Sequence, residues 1–187
     1  MELELRREAV ERAYREHRDD VYRVAYAILR DTEAAVDATH EAFARAFERW
    51  EQYDPARPVR AWLHAIVAHE ALDAARRQRV RRLAIPALAE VSAAGASGGA
   101  GTDPEQIATR RQQVDESLSG LKPAARAALV LRHYYGYDYA EIGTFLGTSP
   151  GNVGSILTRA HATLRERIAP GPVPDAVSTE PVRRAAR

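Results

Sequence analysis

The amino-acid sequence predicts an all-α chain: two small helical domains joined by a flexible linker. Three observations carry this. No segment alternates apolar and polar residues with period two between turn signals, so strands are not indicated. Apolar residues instead recur at helical spacing on both sides of a central stretch. That stretch, residues 84–101, is rich in Ala, Gly and Ser, with SAAGASGGAG at its centre. It cannot bury enough apolar area to offset its ordering entropy.

The elements follow in order. A first helix is expected over about residues 5–18. A second, about 20–30, places Val21, Val24, Ala25 and Ile28 on one face. A third runs from near Thr32 to near Trp50, with Phe43, Phe47 and Trp50 spaced i, i+4, i+7 as one buried stripe requires. YDPARP (53–58) is a turn or loop, because its two prolines break helical continuity. A fourth helix, about 59–82, turns Leu63, Ile66, Val67, Ala71 and Ala74 inward. Beyond the linker, TDPE (102–105) starts a new helix: Thr102 can cap it, Glu105 holds the capping-box position and Pro104 fits the first turn. Another helix starts at Lys122–Pro123 and buries Leu129, Val130 and Tyr134. The tail from 170, with four prolines in PGPVPDAVSTEPVRRAAR, is expected to be disordered.

Residues 139–160, YAEIGTFLGTSPGNVGSILTRA, carry the most specific signal. Ile142, Phe145 and Leu146 give a short helix a buried side, and Gly147 follows where a left-handed residue ends a helix. Ser149 is a good N-cap and Pro150 suits the first helical position. Val153, Leu157, Ala160 and Leu164 then repeat at i, i+4, i+7, i+11, so the next helix packs on one side and exposes the other. Gly143 is small where the helices approach closely. This is the helix-turn-helix pattern that sets a second helix in the DNA major groove, although the same spacing also occurs in a plain helical hairpin. Asn152, Ser155, Thr158 and Arg159 lie on the outward side and suit base edges and phosphates.

Composition narrows the function. The chain has no cysteine, which excludes disulfides and thiolate metal sites and fits a reducing cytosol. No apolar run reaches the length of a membrane span. No P-loop, GxSxG or HExxH motif is present, so an enzyme is not indicated. Net charge is only +1, but AARRQRVRR (74–82) holds five arginines and no acid, either a solvated face or a phosphate-binding patch.

At this point the residues resemble a known family. LSGLKPAARAALVLRHYYGYDYAEIGTFLGTSPGNVGSILTRAHATLRERI is similar to the C-terminal promoter-binding domain of sigma-70 factors of the extracytoplasmic-function (ECF) type. YREHRDDVYRVAYAILRDTEAAVDATHEAFARAFERW, followed by VRAWLHAIVAHEALDAARR, resembles their N-terminal domain. The resemblance implies a region 2-like domain over 1–82, a linker over 83–102, a region 4-like helix-turn-helix domain over 103–169 and a tail over 170–187.

It also implies roles. Asp37, His40, Glu41, Phe43 and Arg45 would serve docking on core RNA polymerase. Arg60, Trp62, His64, His69, Arg76 and Arg77 would meet the −10 element, with Trp62 equally readable as an ordinary core aromatic. Arg126, Ser149, Pro150, Asn152, Ser155, Thr158 and Arg159 would read the −35 element. The implied partners are core RNA polymerase, promoter DNA and an anti-sigma factor, with no cofactor, no metal and no catalytic residue, in a cytoplasmic monomer. The chain departs from the family pattern in four places. Val36–Asp37 stands where an acidic pair is common, His40 replaces a glutamine, and Gly154 and Ile156 replace basic residues. A free-standing helix-turn-helix regulator and a degenerate sigma-like interaction protein are the alternatives.

Overall fold

The computed structural model describes residues 2–84 and 118–168. Its elements are α1 (Glu2–Leu29), α2 (Thr32–Glu48), a 3-10 turn (Trp50–Gln52), α3 (Val59–Ala84), α4 (Pro123–His133), α5 (Tyr139–Leu146) and α6 (Pro150–Ile168). Among the described residues there is no strand, and no helix is long and apolar enough to cross a membrane. The linker, the helix start at TDPE and the tail lie outside the described residues.

The first difference from expectation is α1, one continuous helix where two were expected. The expected break falls between Arg18 and Asp20, but residues 2–29 contain neither proline nor glycine. Asp20 instead supports the helix by pairing with Arg23 at 2.8 Å. The helix ends where Arg30 takes a left-handed φ of 58° and donates its N–H to Tyr26 O at 2.8 Å. Asp31 then caps α2, its carboxylate accepting from the Ala34 N–H at 2.9 Å. Ala35, Ala38, Ala42 and Ala46 let α2 approach α1 closely, where Val21, Val24 and Ile28 are buried. Leu63, Val67, Ala68 and Ala71 of α3 complete this core. The aromatic stripe does not run to the end of one helix: α2 stops at Glu48 and Trp50 lies in the 3-10 turn.

In the C-terminal half, Pro123 occupies the first turn of α4. Leu129 is buried as expected, but Leu131 rather than Tyr134 completes the inward face. Tyr134, the C-cap residue of α4, still donates its N–H to Val130 O at 3.0 Å, but its side chain is 65% exposed. The side chain of Asp138 accepts from the Glu141 N–H, and that of Glu141 from the Asp138 N–H, both at 2.8 Å, forming a capping box at the start of α5. Gly147 ends α5 with φ 63°. Gly143 is required for a different reason: a Cβ there would sit 2.7 Å from Thr148 O, in the backbone of the turn. Ser149 Oγ accepts from the Asn152 N–H at 3.3 Å, and Val153, Leu157 and Ala160 of α6 are buried.

The two halves pack on each other, α4 against α1 and α5 against α3, and their buried residues form one continuous cluster. Arg126 of α4 is the clasp. Its Nε donates to Ala27 O and Ile28 O at 3.1 Å, Nη1 to Leu121 O at 2.7 Å and Nη2 also to Ile28 O. Carbonyls at a helix C-terminus lack intrahelical partners and carry the negative end of the dipole, so a buried guanidinium is well matched there. A second contact forms around His64. Its Nδ1 lies 3.0 Å from the Tyr137 hydroxyl, and its ring packs edge-on to Tyr135 at 4.3 Å. The Tyr135 hydroxyl donates to Asp20 O at 3.1 Å.

Candidate functional site

Three surfaces gather the residues singled out from the sequence. The first is a groove of about 470 Å³ between α2 and α3, lined by Asp37, Glu41 and Arg45 on one side and Glu70, Arg77 and Arg81 on the other. Arg45 reaches Glu41 at 3.3 Å and also ion-pairs with Glu70 across the groove. Phe43 lies beneath, buried against Tyr14 at 4.9 Å between ring centroids. His40 is exposed but does not line the groove. Arg77, expected beside Arg76 on nucleic-acid phosphates, faces this groove instead. Arg76 stays outside it, exposed and 3.2 Å from Asp73.

The second surface is an aromatic corner at the start of α3. Trp50, Tyr53 and Trp62 pack together with ring centroids 5.2–5.7 Å apart. The Tyr53 hydroxyl donates to Arg57 O at 2.7 Å and so fixes the loop before the helix. Trp62 is half-buried, contributing to the core and to a cleft of about 610 Å³ whose opposite wall is α5, with Asp138, Glu141 and Phe145. Arg60 is exposed, its guanidinium 5.9 Å from the Tyr135 ring. His69 is exposed, with Nδ1 2.8 Å from Ala65 O.

His64 departs from the expectation of a nucleic-acid contact. It is fully buried under Tyr135 and Tyr137, and burial pushes its pKa down to about 4, with the nearby Arg60 and His17 adding repulsion against the pull of Asp20. In this arrangement it belongs to the contact between the halves. The signal that could have found this pairing is YYGYDY, a tyrosine-rich turn too apolar for an ordinary exposed loop.

The third surface is the outward side of α6. Ser149, Pro150, Asn152, Ser155, Thr158 and Arg159 are all exposed. The Asn152 amide donates to Thr148 Oγ1 at 2.7 Å, and the Ser155 and Thr158 hydroxyls donate to the carbonyls one turn back, at 3.2 and 3.0 Å. Arg159 Nε donates to Ser155 O at 3.1 Å. These bonds hold short side chains in place while leaving acceptor oxygens and the remaining guanidinium donors facing solvent. Arg126, expected to touch phosphate on this surface, is elsewhere: it is 7% exposed and committed to the end of α1. Burial, and secondarily Arg30, lowers its pKa to about 10, so it stays charged at neutral pH. Gly154 and Ile156 are half-buried, and the backbone at Gly154 lies near the Tyr139 ring. Among the described residues no group of three or more His, Cys, Asp or Glu side chains could hold a metal ion.

Comparison with known proteins agrees with this geometry. Residues 13–81 match the family model for sigma-70 region 2, and residues 111–164 match the model for sigma-70 region 4. The ECF RNA polymerase sigma factor SigE of Mycolicibacterium smegmatis is 35% identical over 159 residues, covering 83% of this chain and 60% of that protein. The ECF RNA polymerase sigma factor SigL of Mycobacterium tuberculosis is 30% identical over 153 residues, covering 81% of this chain and 84% of that protein. Two solved structures share the fold. One is the sigma factor RpoE of Bartonella quintana in complex with the anti-sigma factor NepR, with TM-score 0.70 and 18% identity, covering 85% of this chain and 96% of that one. The other is CnrH in complex with the cytosolic domain of CnrY, with TM-score 0.58 and 23% identity, covering 86% and 87%.

Proposed function

Because this chain belongs to the sigma-70 family, in its ECF type, we propose that it binds core RNA polymerase and directs it to promoters through their −10 and −35 elements. No catalytic step is assigned to it, and its place is the cytoplasm, beside the polymerase. The observation that carries the reading is α6: a helix held from behind by Val153, Leu157 and Ala160 and presenting Ser149, Asn152, Ser155, Thr158 and Arg159 to solvent.

Each surface takes one task. Asp37, Glu41 and Arg45, with His40 beside them and Phe43 beneath, are assigned to polymerase docking. Arg60, Trp62 and His69 are assigned to the −10 element, where unpaired bases can stack on an aromatic and a basic groove can hold the strand. Arg76 and Arg77 supply positive charge along α3. Their own partners, Asp73 and the α2–α3 groove, moderate it. The outward face of α6 is assigned to the −35 element. With Gly154 and Ile156 in place of cations, α6 binds DNA weakly alone. Mounting both halves on one polymerase raises the effective concentration of the second contact once the first is made.

The packed arrangement sets α5 opposite Trp62 across the cleft and narrows access to it, so the halves must separate for the −10 surface to work. An anti-sigma factor fits as a further partner that holds the halves together. The test is run-off transcription with core polymerase on promoter fragments, with and without this chain. Specific transcripts only in its presence are expected. Core enzyme that neither binds the chain nor gains transcription would overturn the reading.

A further inference from the structure

His133, the last residue of α4, and His161, beside the buried Ala160 of α6, bring their Nε2 atoms to 3.0 Å. The rings meet nearly tip to tip, with centroids 5.1 Å apart and planes inclined by 65°. Both side chains are exposed, and their approach is a hydrogen bond in which one neutral ring's Nε2–H donates to the other's Nε2 lone pair, a proton that a shared ion would displace. The helices carrying them are fixed from below by buried Leu131, Val153, Leu157 and Ala160. We infer that this pair is a surface site for a transition-metal dication of the Zn²⁺, Ni²⁺ or Cu²⁺ class, held by two imidazole nitrogens with water completing the coordination sphere.

Geometry and chemistry both support this. With metal–nitrogen bonds of about 2.0–2.1 Å, two ligands at a right angle stand about 2.9 Å apart and two at a tetrahedral angle about 3.3 Å. The observed separation lies within that span. Each ring must swing outward slightly to aim its lone pair at a shared ion, which two exposed side chains can do without moving either helix. Neutral imidazole selects Zn²⁺, Cu²⁺ and Ni²⁺, whereas Mg²⁺ and Ca²⁺ prefer oxygen. Arg132 does not compete for the site, since Nη1 donates to Tyr137 O at 2.9 Å and its guanidinium lies over Tyr139. Arg165, one turn beyond His161, adds a repelling charge. With no third His, Cys, Asp or Glu ligand among the described residues, the ion is exchangeable. Its effect is mechanical: it ties the C-terminus of α4 to the middle of α6. The site does not depend on the sigma-factor reading.

Calorimetric titration of the full chain with Ni²⁺, in chelator-treated buffer without coordinating components, tests this directly. One ion per chain is expected, bound more tightly for Ni²⁺ than for Mn²⁺. His133→Gln and His161→Gln should each weaken binding by at least about tenfold, and the double variant should lose it. His40→Gln should keep the wild-type isotherm. On the unaltered chain, substoichiometric Cu²⁺ should broaden the imidazole resonances of His133 and His161 before those of any other histidine. An isotherm unchanged in the double variant, broadening that starts at other histidines, or no heat up to about 1 mM Ni²⁺ would each overturn the site.

Discussion

Arg126 carries a full positive charge at the C-terminus of α1 while almost wholly buried, and its donors meet three different backbone carbonyls. Removing it leaves the Ala27 and Ile28 carbonyls without that partner inside the contact. Hydrogen bonds to charged groups are worth about 1.5–3 kcal/mol, so Arg126→Ala should lower stability by about that much in urea titration. Arg126→Lys should restore only part of it, because an ammonium cannot reproduce the fork.

His64 makes the same contact sensitive to pH. Its pKa is about 4 in the packed chain against 6.5 for a free imidazole, so the packed state binds its proton later. The contribution is complete above pH 6.5 and is lost as pH falls from 6.5 toward 4, about 3 kcal/mol in all. Thermal melting across that window should therefore fall more steeply in the wild type than in His64→Leu. Equal slopes would show that His64 is not the group responsible. Neither role was legible in the sequence. Arg126 and Ile28 are 98 positions apart, and such pairings leave no periodic trace.

Among the elements, the helix-turn-helix was legible because every signal in it is local. Gly147, Ser149 and Pro150 each meet a backbone need within one turn of themselves. Gly143 is the exacting position, and Gly143→Ala should cost about 1–3 kcal/mol by forcing the turn away from α5. Asp138→Ala should cost about 1 kcal/mol through loss of the capping box. Differential scanning calorimetry of the two variants checks both, with the larger loss expected at Gly143. The continuity of α1 was missed because aspartate is a weak helix former yet no breaker, and its pairing with Arg23 settles the matter. The end of α2 was missed because Trp50 keeps the stripe's spacing while leaving the helix. On α6, Arg159→Ala should weaken promoter binding and reduce the salt slope by about one, measured by fluorescence anisotropy from low to moderate salt.

At the scale of the whole molecule, the all-α class was readable from composition and spacing, but the joining of the two cores was not. Ala13, Val24 and Ile28 belong to the same buried cluster as Leu131, Tyr137 and Phe145. Each set alone has the pattern of an ordinary helical core, so nothing in either half announces the other. On the proposed function that joining matters, since it sets α5 across a cleft from Trp62 and employs Arg126 between the halves.

Because the chain has no native cysteine, Arg12→Cys and Glu166→Cys provide unique labelling positions, both exposed, on α1 and α6. Their separation, measured by double electron–electron resonance with and without core polymerase, tests the separation of the halves directly. A single narrow distance distribution in the free chain, replaced by a different one in a transcribing complex, is predicted. A distribution that stays unchanged while transcripts accumulate would contradict it.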